Sequence, residues 1–565
     1  MNMKFKSILL SSVLGALTFS SCADLDYNEL SNRDEKWIFS YPNDGIRHLV
    51  DDVYAQMFNE FETNYNGAIK ASATDEAVFA SALSDVHNFY NGAWSPANSF
   101  SDTWRIAYRA ITEANTYLEK VNEIDLDAYK YDANYDNMVL QFSLFPYEVR
   151  FLRAYYYFEL VKTYGDVPLV TKSLSNAEAN NVERVSADKI FEYIVNECNA
   201  IAEYLPVSYL NEPGSEIGRA NRPAVLALRT RALLYMASPL FNPENKKDRW
   251  LAAAESAKEL IDVAAEWGLS LSKYTDLWGD EAYKNPELIM GVIQPASNSF
   301  EKANYPVGVE GASSGNCPSQ SLVDMYEYKN GKTFGEVNPG NFTVTDETYA
   351  EMDPRFGMTV VKNGDQWPSN STQKAAIETY VGGFNGAPKV NATPTGYYLK
   401  KYVDGSIITT YNNSTTRRHT WIIWRLAEIY LNYAEAIYNY TGNAVTPLEG
   451  DLEPMTANDA INKLRERADI DMPKFTDSTN WMERYMRERA VEFAFEDQRF
   501  WDVRRWKMGD KFFNSVQEIE LTRNGDVMNA TRKTVARNWN DKYYFFPIPQ
   551  SEILKNPKLT QNPGW

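Results

Sequence analysis

The stretch EVRFLRAYYYFELVKTYGDVP, residues 148–168, decides the fold. Phe151, Leu152, Ala154, Tyr155, Phe158 and Val161 place apolar neighbours three and four residues apart, which predicts a helix. Pro146 suits its first turn, and Gly165 followed by Pro168 supplies its stop. Apolar side chains occupy nearly the whole circumference, broken only by Arg150, Arg153, Glu159 and Lys162. A helix that apolar must be covered on more than one side by other helices. Three consecutive tyrosines beside the small Ala154 imply close packing in which the hydroxyls still find partners. The stretch holds no nucleophile, metal cluster or phosphate loop, so it speaks of architecture.

Working outward, helical periodicity begins near Gly45 and recurs over Trp104–Val121, Asp188–Leu205, Arg222–Ser238 and Trp250–Trp267. It returns at Trp421–Tyr440, closed by Gly442, then at Ala457–Ala468 and Trp481–Phe495. Helices paired across short breaks, with small residues facing Tyr and Leu, predict tetratricopeptide-like hairpins stacked into a curved scaffold. The fold class is therefore mainly α. Between about 270 and 420, Gly, Pro, Asn, Ser and Thr dominate, and GMTVVKNG (357–364) and TGYYLKKYV (395–403) read as short strands. A long irregular insertion between helices is where a ligand surface is normally built. The expected divisions are 1–21, a signal peptide; 22–44, a tether; 45–270, a helical region; 271–420, the insertion; and 421–565, a second helical region.

Composition narrows the partners. The 565-residue chain carries a net charge of -19, which disfavours nucleic acid or an anionic membrane and suits neutral ligands. It is rich in rings, with 37 Tyr and 14 Trp. Lys4 and Lys6, the apolar run Ile8–Phe19 and Ser20-Ser21 form a targeting segment too short to span a bilayer. Cys22 after Phe19-Ser20-Ser21 resembles a lipoprotein lipobox, whose cysteine is acylated; cleavage by ordinary signal peptidase is the alternative. Cys198 lies in a helical pattern and reads as core, whereas Cys317 sits in a glycine-rich loop.

Seven stretches together resemble the SusD/RagB family of surface lipoproteins. They are EVRFLRAYYYFELVKTYGDVPLV, GRANRPAVLALRTRALLYMASPLFNP, TGYYLKKY, WRLAEIYLNYAEA, INKLRERA, RERAVEFAFEDQRFWDVRRWK and the closing FFPIPQSEILKNPKLTQNPGW. They occur in family order from near Trp104 to Trp565. Asp24, Asp26 and Glu29 after Cys22 are similar to the acidic export tag of Bacteroidota surface lipoproteins. The resemblance implies a non-catalytic, lipid-anchored protein on the outer face of the outer membrane. It binds glycans, or peptides as the RagB branch does, and passes them to a SusC-like TonB-dependent transporter.

An enzyme is the competing reading. His48, His87 and His419 lack metal-ligand spacing, and no HExxH, GxSxG or Walker loop is present. Asp132, Asn134 and Asp136 have a calcium-like spacing without the loop glycine or terminal Glu. No metal or cofactor is expected. Glu428 and Glu435, two helical turns apart, start with backbones about 10 Å from each other. Glycosidase carboxyl pairs sit about 5 Å or about 6.5–9.5 Å apart, and both residues belong to a packing motif, so the structural role prevails. Arg487, Glu488, Arg489, Glu492 and Glu496, near Arg504 and Arg505, read as an ion network on a helix surface.

Carbohydrate binding needs exposed flat rings flanked by short polar side chains. Trp94, in NGAWSPANSF, lies outside any helical period among Asn91, Ser95 and Asn98. The resemblance implies that this loop and the glycine-rich loop share the ligand face, giving Trp94, Asn98, Tyr305, Asn316 and Cys317 as candidates. Asp75, in ATDEA, matches a polar segment near that face. Trp367 follows the same exposure logic, whereas Trp278, Trp501 and Trp506 read as core.

Overall fold

A computed structural model describes residues 45–61, 65–210, 216–370, 372–450 and 453–565. Cys22, the signal peptide and the tether lie outside the described residues. Ten helices carry the argument: α1 Arg47–Ala55, α2 Thr103–Lys120, α3 Tyr135–Tyr164, α4 Ala187–Ile201, α5 Arg222–Ala237, α6 Lys247–Ala264, α7 Leu426–Thr441, α8 Ala457–Arg465, α9 Trp481–Glu492 and α10 Arg499–Arg505.

Every residue of α3 from Phe151 to Tyr164 is buried, including Arg153, Glu159 and Lys162. The charges have partners: Lys162 donates to Glu159 at 2.7 Å, and Arg153 donates to Asn115 of α2 at 2.8 Å and to Glu197 of α4 at 3.4 Å. Two of the three tyrosines donate to carbonyls, Tyr156 to Val53 at 2.5 Å and Tyr157 to Val170 at 2.8 Å. The helix does not begin at Pro146. It runs for 30 residues and carries that proline in its interior, a position that costs about 3 kcal/mol in an isolated helix. Met138, Phe142, Phe145 and Val149 offset this by packing with Ile46, Val50, Ala114 and Tyr117 in a small core of their own.

The helices pack in series: α2 on α3, α3 on α4, α4 on α5, α5 on α6. The next partner of α6 is α7, which lies across the insertion in sequence, and α7 packs on α8. The scaffold is thus continuous, and the irregular segment is looped out between two helices that touch. The stretch at 421–440 is not a single helix. Thr420–Arg425 is a strand, buried at all six positions and antiparallel to Leu288–Ile293, and α7 follows it. Its β-branched and aromatic residues suit a strand buried on both faces. Gly442 ends α7 in the left-handed conformation at φ 73°.

Within the insertion Val360–Val361 pairs with Tyr398–Leu399, joining the two segments read as strands. Ala77–Phe79 pairs with Asn316–Pro318, stitching the N-terminal helical region to the glycine-rich loop. A hairpin, Ser515–Asn524 with Val527–Ala536, takes Phe342–Val344 as a third strand.

The Arg/Glu network of α9 is not on a surface. Glu492 accepts from Arg355 at 2.8 Å, Arg425 at 2.7 Å and Arg467 at 2.6 Å, and is fully buried. Glu287 pairs with Arg425 and Arg467, and Glu488 with Arg355 and Arg465. These contacts tie the insertion to α7, α8 and α9. Glu428 and Glu435 are likewise committed, to Arg231 and Arg505. No helix among the described residues is long and apolar enough to cross a membrane.

Candidate ligand-binding face

The glycine-rich loop leaves the short helix Ser299–Asn304 and returns to the strand Asn316–Pro318. Both of its ends are buried and bolted down. The Tyr305 hydroxyl donates to the carbonyls of Asp404 at 2.6 Å and Ile407 at 2.9 Å. Asn316 Oδ1 accepts from Ile69 N at 3.0 Å and Ser72 Oγ at 2.8 Å, while its Nδ2 donates to Asn304 Oδ1 at 2.9 Å. Cys317 is fully buried, and burial pushes its thiol up to about 12.

Between these anchors the loop turns outward, and Gly308, Glu310, Gly311 and Ser313 are exposed. Neighbouring segments clamp it from two sides. Asn385 Nδ2 donates to Val307 O at 2.7 Å, and Thr409 Oγ1 donates to Glu310 O at 2.6 Å. Phe384 rests its edge on Gly308, whose φ is 100°; a Cβ there would stand 2.7 Å from the ring. Glycine is required for that approach, and the approach fixes the ring. Phe384 remains 57% exposed. Its backbone N–H donates to Glu378 Oε2 at 2.9 Å, and Lys389 Nζ donates to its carbonyl at 2.6 Å while lying 3.9 Å from the ring centre. Two residues after Thr409, Tyr411 is 93% exposed. The result is a loop platform carrying two open rings, with Glu310, Gln373, Ser313 and Lys389 as polar neighbours. Lys389 covers one face of the Phe384 ring, which leaves the other flat face for sugar C–H groups, and the polar rim meets hydroxyls.

The residues expected at this face occupy other places. Trp94 is 2% exposed, stacked on Tyr543 at 5.2 Å and set edge-on to Phe546 at 4.6 Å, so it is core and not a platform. Asp75 is buried, with both carboxylate oxygens on Arg499 at 2.9 and 2.7 Å. Tyr305, Asn316 and Cys317 lie in the anticipated loop, but as its buried anchors. Trp367 is also buried. Asn98 alone of the six is exposed, in a tight turn with Ser95. Cys198, Trp278, Trp501 and Trp506 are core. Among the described residues no three His, Cys, Asp or Glu side chains converge as a metal site. His419 pairs with Glu301 at 2.9 Å.

Comparison with known proteins agrees with this architecture. Residues 287–565 match the model described as SusD family, and residues 38–234 match one described as starch-binding associating with outer membrane. The chain belongs to the SusD/RagB family. Among SusD-like relatives, protein P25 of Formosa agariphila is 25% identical, over 82% of this chain and 79% of its own. The starch-binding protein SusD of Bacteroides thetaiotaomicron is 24% identical, over 87% of this chain and 84% of its own. A SusD-like crystal structure from Bacteroides fragilis superposes with a TM-score of 0.77 at 26% identity, covering 94% of this chain and 98% of that one. A laminarin-binding SusD-like protein shares the fold, with a TM-score of 0.62 at 19% identity over 94% and 100% of the two chains. The SusD family match takes in the insertion from residue 287 onward together with the C-terminal helices.

Sequence reasoning missed Phe384 and Tyr411. The signal for Phe384 is GGFNGAP, residues 382–388: one ring between glycines, with no apolar periodicity to place it in a core.

Proposed function

We propose that this protein is a non-catalytic glycan-binding lipoprotein of the outer membrane's exterior, acylated at Cys22, which hands its ligand to a SusC-like TonB-dependent transporter. The exposed Phe384 ring, set against the clamped loop, carries the reading, because a polar-rimmed flat ring is what sugar stacking requires. Family membership supports it, as do two relatives described by starch and laminarin binding. The family-model description that names outer-membrane association supports the location.

Titration of the purified protein against a panel of polysaccharides, with peptide mixtures in parallel, tests it. Phe384→Ala is expected to weaken glycan binding about tenfold, about 1.4 kcal/mol, with little change in melting temperature because the ring is half exposed. Binding confined to peptides, or hydrolysis of the bound glycan, overturns the reading. Recovery of a TonB-dependent transporter with the native lipoprotein tests the partner.

A further inference from the structure

The chain as a whole repels anions, yet the candidate face carries the opposite bias. Three exposed lysines flank the loop on separate segments. Lys302 holds the loop through its carbonyl, which accepts from Ser313 N at 2.9 Å. Lys374 follows Gln373, whose Nε2 donates to Glu310 O at 3.3 Å and to Thr409 Oγ1 at 3.0 Å. Lys389 lies over the Phe384 ring and spends one of its three N–H donors on that residue's carbonyl. Among the described residues none of these ammonium groups is ion-paired with a carboxylate. Among the described residues the loop 305–315 and the segment 372–390 carry two carboxylates, and one of them, Glu378, accepts from the backbone behind the ring. The other, Glu310, stands at the exposed apex. Asp404 is taken by Arg417 at 2.8 Å.

Resting on the glycan-binding reading, we propose that the ligand of this face is an anionic polysaccharide, bearing uronate carboxylates or sulfate esters that meet Lys302, Lys374 and Lys389 while a sugar ring stacks on Phe384. This departs from the neutral ligand that the net charge of -19 suggests. Net charge sets the far field, but a bound chain lies within reach of local ammonium groups, whereas charges beyond a screening length of about 8 Å at physiological salt count for little. An acidic surface elsewhere also keeps polyanions from adhering at random, so that binding is confined to the lysine-flanked loop.

Matched pairs of polymers test this: polygalacturonate against its methyl ester, and dextran sulfate against dextran. The charged member of at least one pair is expected to bind about tenfold tighter at about 20 mM sodium chloride, with the advantage shrinking at about 150 mM as screening sets in. The pair that responds distinguishes carboxylate from sulfate. In the variant K302Q/K374Q/K389Q the charged-to-neutral ratio of affinities is expected to collapse to about one, since the local charge is gone. Equal affinity within both pairs overturns the proposal and leaves glycan binding standing. A charge preference that survives in the triple variant removes it from this face. Failure of all four polymers to bind, with a neutral glycan of the wider panel binding, also overturns the proposal and leaves the glycan reading standing.

Discussion

Glu492→Gln is expected to cost about 3–5 kcal/mol of folding stability, because it removes the one carboxylate that three buried arginines share and leaves the cluster with an excess of buried positive charge. Three guanidinium groups, from Arg355, Arg425 and Arg467, converge on this one carboxylate. Burial alone would push the Glu492 carboxyl up, but the neighbouring Arg467, Arg425 and Arg355 outweigh it and hold it well below the ordinary carboxylate range. Glu488 and Glu496 are held down in the same way, burial being outweighed by Arg355 and Arg465 for the first and by Arg425 and Lys401 for the second. A carboxyl whose folded pKa is depressed stabilises the fold above its unfolded value of about 4.3, and that contribution disappears as pH falls through the lower folded value. Denaturant titrations are therefore expected to show the wild type losing stability steeply below about pH 4, and Glu492→Gln losing less there. Glu76 acts with the opposite sign. Burial, then the nearby Asp75, push it up to about 8, so its contribution is present in acid and is lost as pH rises toward that value. Equal stability of Glu492→Gln and wild type at neutral pH would show that the cluster is solvated and not the clasp between insertion and scaffold.

The location of that cluster shows where reading along a chain stops. Arg and Glu at helical spacing in α9 look the same whether the face is wet or buried; the difference lies in Arg355 and Arg425, which arrive from segments far away in sequence, and in Arg465 and Arg467 at the end of α8. The helical register of α2 through α8 was legible because burial leaves a period of three to four in the residues themselves. The ends of elements were less so. Pro146 is a start signal by local rules, but the core around Met138 and Phe142 carries the helix back past it. Thr420–Arg425 runs into α7 with no turn residue between them, so the change from strand to helix shows only in its pairing with Leu288–Ile293. At the candidate face the correct loop was visible and its working residues were not. Glycines announce that a segment turns, but not which of its side chains point inward, and here Tyr305, Asn316 and Cys317 all do.

Trp94→Ala is expected to lower stability by about 3–5 kcal/mol, the range for deleting a large aromatic from a core, while the folded protein keeps its glycan affinity. By its immediate neighbours Asn91, Ser95 and Asn98, the residue belongs to a polar loop that displays a ring. By its contacts it is the hinge pin between that loop and the C-terminus: Tyr543, Phe546 and Trp565 close around it with Phe89, at ring separations of 4.6–5.2 Å. Trp94→Phe retains a ring in the cavity and is expected to lose less. Among the described residues its buried indole N–H has no acceptor, so that group gives no bond for the substitution to break. Thermal unfolding and glycan titration on the same preparations separate the two roles. A Trp94→Ala protein with the wild-type melting temperature but no affinity would make the ring a ligand platform; one that melts early yet binds normally makes it a strut.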